Sequence, residues 1–531
     1  MVLHELNFAF ALAPAVFMSV ASFWAWHSRL PLPRMWRQFN TFVFVALAFS
    51  LVGLVSELGL VWMHDATGPA LGGWLATNQF GAWVSLLVQL LGCAIGIYSS
   101  NHLKGELRQP VYMAALAAVL AAVHLLLLAN HWLVLIAAWA IIQYAMQYLL
   151  CFYDDRPFAL LAAHKKMVTD RAADLLLIVA ATLAWSQVGS GSFSALWAYI
   201  AAGHASALLA CSGICLVLAV IARTALMPVH GWLVQVMEAP TPVSALLHAG
   251  VVNLGGYVLV LFAPLLGVSL AARWLLVVFG LVSAVVAGLV LLTRVSQKVH
   301  LAWSTIAQMG FMLLECGLGL YMFAALHLLG HSLYKAHSFL NASSAVRESS
   351  RRFITGEAKN SGLSMLVAVP IALVIVFALQ ALVGGHAWPW WWSAVLALAW
   401  APLLWVPKEE AGSSGVVPAR IGVALASVVF LTVATSVVDQ APVGASNDPL
   451  HAAGIVALIG MALMYLEMTA FQLWPGSLET VRRWVYAGFY MDEGYTHWVL
   501  RLWPAPWAGA GSQAEPPPWR PYESGYGRSE S

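Results

Sequence analysis

The chain has 531 residues, of which 61% are hydrophobic and only 9% are charged. Soluble domains carry about 25% charged residues, so a soluble fold could not bury this much apolar surface, and lipid must solvate most of the chain. The formal net charge of +2 gives no reason to expect a nucleic-acid partner.

The sequence carries no cofactor motif that we recognise. The five cysteines lie in apolar runs, and none has the spacing of a zinc or iron–sulfur site, so packing roles are predicted for all of them. Neither a dinucleotide fingerprint nor a P-loop is present, so neither NAD nor ATP is expected as a cofactor.

Apolar runs of about 20 residues can cross a bilayer as helices. The runs in this chain predict an all-α polytopic membrane protein with about fifteen transmembrane helices. The predicted spans are residues 5–26, 40–63, 80–99, 111–129, 132–150, 172–188, 205–225, 242–263, 271–293, 300–320, 322–341, 363–384, 388–406, 419–438 and 451–473. The Pro-, Gly- and Ser-rich tail at 508–531 is predicted to be disordered.

Lys and Arg residues are concentrated in every second loop between these spans. They include Arg29, Arg34 and Arg37 after the first span, Lys104 and Arg108 after the third, and Lys165 and Lys166 after the fifth. By the positive-inside rule, this alternation predicts that the N-terminus faces out and the C-terminus faces the cytoplasm. The basic loop Arg347–Lys359 and the amphipathic stretch Arg482–Tyr495 are candidate docking surfaces for a partner.

Arg223 and Lys335 are the two basic residues that this assignment leaves inside spans. Pro228 follows Arg223 and should break its helix, because proline removes a backbone donor. Glu238 and His248 follow the break. Transporters use broken helices at ion sites, where the break lines a cavity. The alternative is that Arg223 only extends its charge to the cytoplasmic interface.

His327, His331 and Lys335 recur at a spacing of four residues, which places them on one helix face. Such a row suits proton transfer, because histidine titrates near neutral pH and a desolvated lysine can do so. Zinc ligation by two histidines one turn apart and a purely structural hydrogen-bonded row are the rival interpretations.

Weaker candidates lie elsewhere in the spans. Arg171 and Asp174 are expected to pair at the start of the sixth span, and Lys298 marks the cytoplasmic end of the tenth. Glu57, Glu315, Glu467 and His124 fall within or near span interiors, where packing explains them as well as transport does. The predicted proton path comprises Lys335, His331, His327, His248, Lys298, Glu238, Arg223, Asp174 and Arg171, with no catalytic or metal-binding residue.

Four blocks resemble the signature of the proton-translocating antiporter-like subunits, a family that includes the large membrane subunit of respiratory complex I and the Mrp-type cation/proton antiporters. The blocks are Met227–Leu233, Met237–Gly250, Trp303–Phe311 and His327–Lys335, in the family's order. The resemblance covers roughly residues 80–345. It implies two inverted five-helix repeats, near spans 4–8 and 9–13, each with a broken helix.

In this scheme Pro228 would break the first repeat and Pro370 the second. The chain also departs from the family pattern. Ala140 stands where the family usually has a glutamate, and Arg223 stands at the position of its partner lysine. Arginine does not release its proton in a working pH range, so Arg223 can only bias its neighbours electrostatically.

The C-terminal motifs Gly488–Thr496 and Arg501–Pro504, with the overall length, resemble the DabB family of membrane subunits of inorganic-carbon accumulation complexes. The resemblance implies a non-enzymatic, proton-conducting subunit in the cell inner (plasma) membrane. Its partner would be a DabA-like subunit with a zinc site like that of β-carbonic anhydrases, which converts CO2 to bicarbonate. The alternatives are an Mrp-type Na+/H+ antiporter, a redox-linked pump subunit, or a scaffold that has lost transport.

Five segments are predicted from these features. They are N-terminal helices at 1–110, a first repeat at 111–265, a second repeat at 266–410, C-terminal helices with an amphipathic segment at 411–507, and the tail at 508–531.

Overall fold

A computed structural model describes residues 2–63, 69–70, 73–342, 360–383, 388–407, 416–440, 444–474, 476 and 478–505. The candidate docking loop Arg347–Lys359 and the tail at 508–531 lie outside these residues.

Helices make up most of the described chain. The N-terminal helices are α1 (Val2–His27), α2 (Leu32–Trp62), α3 (Gln79–His102), α4 (Gln109–Leu127), α5 (Trp132–Leu150), α6 (Pro157–Val188), α7 (Phe193–Ala201) and α8 (Ala207–Arg223). The central helices are α9 (Gly231–Gln235), α10 (Thr241–Ala249), α11 (Leu254–Leu261), α12 (Ala263–Gly267), α13 (Leu270–Leu291), α14 (Gln297–Leu318) and α15 (Tyr321–Leu340). The C-terminal helices are α16 (Gly362–Val383), α17 (Trp390–Trp400), α18 (Val416–Val438), α19 (His451–Leu473), α20 (Glu479–Tyr486) and α21 (Met491–Leu502).

Short elements complete the description. Single 3-10 turns lie at Val236–Glu238, Val251–Asn253, Ala401–Leu404 and Gly488–Tyr490. Between α2 and α3, the strands β1 (Pro69–Ala70) and β2 (Leu75–Ala76) pair antiparallel, a feature that the apolar pattern did not predict.

Eleven helical segments of the described chain are long and apolar enough to cross a membrane, and one of them, Thr241–Leu261, comprises α10 and α11. Each of the fifteen predicted spans overlies a described helix or a broken pair of helices. The chain is therefore a multi-pass helical membrane protein. How many of these helices cross the bilayer, and in which direction, stays a prediction.

The largest apolar core spans α1 to α15 and includes residues of α20 and α21. One smaller core packs α17 and α19 against α13 to α15, and the other joins α16 to α19. The helices α13 and α14 approach most closely at glycines: a Cβ at Gly310 would lie 2.7 Å from the carbonyl oxygen of Gly280. Small residues let backbones in membrane proteins approach in this way.

Two breaks interrupt helices near the candidate residues. The helix α8 ends at Arg223, and Pro228 lies in the turns before α9. The helix break predicted from Pro228 is therefore present. The predicted span 242–263 is also divided, at Gly250, which the sequence did not indicate. There the Asn253 amide donates to the carbonyl of Ala249 at 2.9 Å and thereby satisfies backbone that the break leaves free.

Two expectations are wrong. Pro370 does not break its helix, because α16 runs through it from Gly362 to Val383. Neighbouring helices and local adjustments can satisfy the single backbone group that a proline frees. The sixth helix begins at Pro157 instead of near residue 172, so Lys165 and Lys166 are buried helix residues and not loop residues.

We expect Gly310→Ala to lower the midpoint of thermal unfolding, because the added methyl group would meet the backbone of α13. Overpacking of this kind costs about 1–3 kcal/mol. The control is Gly330→Ala on α15, where no atom lies within 4 Å of the added Cβ and the midpoint should not fall. Equal midpoints for the two purified variants in lipid nanodiscs would contradict the close α13–α14 contact.

Candidate functional site

Arg223 lies at the C-terminal end of α8 and is 4% exposed. Its guanidinium donates to the carboxylate of Asp174 on α6 and lies 4.4 Å from the centre of the Trp139 ring on α5. Asp174 is also 3.1 Å from the guanidinium of Arg171, which is half exposed. The charge of Arg223 is therefore paired inside the protein and does not extend to an interface, and the predicted Arg171–Asp174 pair is present.

A second buried ion pair, which the sequence did not predict, lies within α6. The Lys166 ammonium lies 2.5 Å from the carboxylate of Asp170 and also donates to the side chain of Gln143 on α5. Both charged side chains are buried. The spacing of Lys166, Asp170 and Asp174 by four residues was the available signal, because it places all three on one helix face.

These contacts surround position 140, where the family resemblance predicts a glutamate and this chain has alanine. Ala140 on α5 follows Trp139, whose ring lies under the Arg223 guanidinium. The carboxylates that balance Arg223 and Lys166 come from α6 instead, through Asp174 and Asp170. A buried cation needs such a partner, because an uncompensated charge in a low-dielectric site is costly.

The break after Arg223 places His230 in the interior, fully buried. Its ring lies 5.0 Å from the ring of Trp303 on α14. Neither ring nitrogen of His230 has a hydrogen-bond partner among the residues that the structure describes. The predicted proton path does not include His230, although this histidine closes the sequence cluster that begins at Arg223 and stands inside one of the blocks that carry the family resemblance.

Lys335 on α15 is fully buried. Its ammonium donates to the carbonyl of Leu301 at 3.0 Å and to the hydroxyl of Ser304 at 2.8 Å, both on α14. His248 on α10 is also fully buried, and its ring stacks 4.6 Å from that of Phe339, one turn beyond Lys335. Lys335 and His248, two members of the predicted path, therefore lie on helices α15 and α10, which pack against each other.

The predicted row on α15 continues towards the other end of the helix. The rings of His331 and His327 are 6.0 Å apart. His327 contacts the Glu315 carboxylate at 2.9 Å through Nδ1 and the Gln308 side chain at 2.9 Å through Nε2. The Nε2 atom of His331 has no hydrogen-bond partner in the described part of the chain. Glu315 thus belongs with the row.

Glu238 and Lys298 lie at a more exposed edge. The Glu238 side chain is about half exposed and lies 3.7 Å from the guanidinium of Arg156. Lys298, in the first turn of α14, is close enough to Glu238 to interact electrostatically. The structure groups these two predicted residues with Arg156 and not with the histidines.

The C-terminal helix α21 packs against this region. Asp492 accepts from the buried Lys165 ammonium and from the Gln235 amide at 3.0 Å. Tyr495 pairs with Thr169 on α6, and burial raises the pKa of its phenol, so it stays neutral. Part of the stretch predicted as a docking surface is therefore occupied within the chain.

Among the described residues, no three His, Cys, Asp or Glu side chains are placed to hold a metal ion together.

Comparison with known proteins first defines the class. The family model for the transmembrane region of NADH:quinone oxidoreductases and Mrp antiporters matches residues 129–401, which contain all the predicted path residues. The fold is similar to a chain of the Mrp complex from Dietzia sp. DQ12-45-1b, with a TM-score of 0.58 and 18% identity, over 98% of this chain and 64% of that chain. The chain is thus an antiporter-like membrane protein.

Sequence relatives give the particular family. The chain is 35% identical over 477 residues to the "Probable inorganic carbon transporter subunit DabB" of Hydrogenovibrio crunogenus, covering 87% of this chain and 90% of the relative. It is 40% identical over 310 residues to DabB2 of Halothiobacillus neapolitanus, covering 57% and 56% of the two chains. The chain belongs to the DabB family of antiporter-like membrane subunits.

We expect Asp174→Asn to lower stability by about 3–5 kcal/mol, because it leaves the buried Arg223 charge without its partner. Arg171→Gln is the matched control: it removes the exposed partner of the same carboxylate, and exposed pairs contribute about 0–1 kcal/mol. The double variant Arg223→Met/Asp174→Leu should recover most of the loss. The readout is the thermal midpoint in lipid nanodiscs, and equal midpoints for Asp174→Asn and Arg171→Gln would contradict the buried pair.

Proposed function

We propose that the chain is the proton-conducting membrane subunit of a complex that takes up inorganic carbon. The observation that carries the proposal is Lys335, a fully buried amine whose hydrogen-bond partners are a neutral carbonyl and a neutral hydroxyl. No carboxylate pairs with it among the described residues. A buried lysine without a counter-ion is easily neutralised, so it can accept and release a proton.

The proton would move along α15 between Lys335 and the pair formed by His327 and Glu315. His327 and Lys335 are eight positions apart on the helix, or about 12 Å at a rise of 1.5 Å per residue. His331 and His248 would contribute the intermediate groups. His331 Nε2 and both ring nitrogens of His248 have no hydrogen-bond partner in the described chain. Water would connect these groups where they do not touch.

A second part of the path would run from Lys335 towards α6. Ser304 binds Lys335, and its neighbour Trp303 packs on the buried ring of His230. Beyond the broken helix lie the pairs Lys166–Asp170 and Arg223–Asp174. In this path Arg223 is a fixed charge that biases Asp174, and the other groups exchange the proton.

We place the N-terminus outside, the C-terminus in the cytoplasm and the chain in the plasma membrane, as the loop charges predict. The inverted repeats at 111–265 and 266–410 are part of this proposal. Protons would enter from outside, driven by the membrane potential, which contributes about 2.3 kcal/mol per charge for each 100 mV.

The partner in this proposal is a DabA-like subunit whose zinc site resembles that of β-carbonic anhydrases and hydrates CO2. The support is that the relatives are named as subunits of inorganic carbon transporters. Arg482 and Arg483 on α20 are exposed and available to a partner on the cytoplasmic side.

We expect Lys335→Ala and Lys335→Arg, each coexpressed with the DabA-like partner in a host without carbonic anhydrase, to fail to restore growth in air. Arginine keeps the charge but does not release its proton. In proteoliposomes both variants should lower proton flux by about tenfold or more, a barrier increase of at least about 1.4 kcal/mol. Lys104→Ala, at an exposed loop lysine, should leave growth and flux unchanged.

Wild-type activity of Lys335→Arg would contradict the proposed role of Lys335. Flux that requires Na+ in the wild-type protein would favour the Mrp-type antiporter function instead.

A further inference from the structure

A second polar site lies in α1 to α4, outside residues 129–401 that the family model matches. A small cleft, with a volume of about 20 Å³ accessible to water, opens between these helices, and its polar lining includes Glu57, Ser85 and His124. Glu57 and His124 are each only 1% exposed. The proposed path along α15 uses none of these residues.

Glu57 on α2 lacks a cationic partner among the described residues. One carboxylate oxygen, Oε2, accepts from the Asn7 amide nitrogen on α1 at 2.6 Å. The other, Oε1, and the amide oxygen of Asn7 are both buried without a hydrogen-bond partner in the described chain. Two buried acceptors at one contact are costly. A proton on the Glu57 carboxyl group turns one of these two acceptors into a donor.

The hydrogen bonds of His124 on α4 fix its resting tautomer. The Gln89 amide nitrogen must face the carbonyl oxygen of Val43, at 2.9 Å, because a carbonyl only accepts. The Gln89 oxygen therefore faces His124 Nε2, at 2.9 Å, and this ring nitrogen carries the hydrogen. Nδ1 is left as the acceptor of the Ser85 hydroxyl, at 3.0 Å.

The proton-accepting atom of His124 therefore faces the cleft. Ser85 also lies 3.4 Å from the hydroxyl of Ser50, so its hydrogen can turn from His124 to Ser50. When it turns, Nδ1 can take up a proton and donate back to Ser85. Ser50 and Glu57 both line the cleft.

We propose that Glu57 and His124 form a second proton-binding site, in which Glu57 takes up a proton beside Asn7 and Ser85 exchanges protons with His124. The other titratable or charged groups on these four helices are His4, Glu5 and His27 on α1, Arg34 and Arg37 on α2, Cys93, Tyr98 and His102 on α3, and Tyr112 on α4. From the cleft, the Asn78 amide donates to the Tyr257 hydroxyl at 3.2 Å, so the site adjoins α11. A role in feeding the α15 row rests on the proposed function, but proton binding does not.

The test is infrared difference spectroscopy of the full chain in lipid vesicles through a pH titration, in H2O and D2O. Glu57→Gln should remove one C=O band of a protonated carboxyl group. Asn7→Leu should shift that band to higher frequency, because the hydrogen-bonded pair is lost. Glu5→Gln, at an exposed carboxyl group on α1, is the control and should leave the band in place.

Proton flux in the same vesicles separates the two proposals. If Glu57→Gln removes the band and the wild-type protein conducts no protons, the site stands and the proposed function fails. If Glu57→Gln leaves the spectrum unchanged, the inference is overturned whatever the flux. A band that responds to added Na+ at constant pH and not to pH would also overturn it, since the site would then bind a metal cation.

Discussion

The structure depends on the pairing of charges that are taken out of water. Arg223 ends α8 where Pro228 prevents the helix from continuing, and its guanidinium would be costly to bury alone. Asp174 supplies the balancing charge, which requires α6 to pass beside the end of α8. The earlier turns of α6 carry a second buried pair, Lys166 and Asp170.

Lys335 differs from these buried cations in its hydrogen-bond partners. The cations next to α6 have carboxylate partners, whereas the hydrogen-bond partners of Lys335 are neutral. A carboxylate partner stabilises the charged form of a buried cation, and an unpaired amine in a low-dielectric site lacks this stabilisation. The described chain therefore holds two kinds of buried cation: those next to α6 are paired with carboxylates, and Lys335 on α15 is bound by neutral groups.

The apolar runs predicted the helices well, because a membrane-spanning helix needs a long apolar sequence and little else. The four-residue spacing likewise predicted the shared face of His331 and Lys335. Lys165 and Lys166 were assigned to a loop because a sequence does not distinguish a loop lysine from a buried one. Their burial is stabilised by the carboxylates of Asp492 and Asp170, and these contacts are visible only in the structure. The break at Gly250 was missed because its compensation comes from the side chain of Asn253, which an apolar pattern does not reveal.

That break also joins parts of the molecule that the sequence treats as separate. Asn253 donates to the hydroxyl of Ser332 at 2.7 Å, next to His331 on α15. One turn along α11, Tyr257 accepts from Asn78 at the N-terminal cleft. A change in the backbone between α10 and α11 would therefore move groups that contact both polar regions. Because α10 also carries His248, the short helices on either side of Gly250 contact both polar regions.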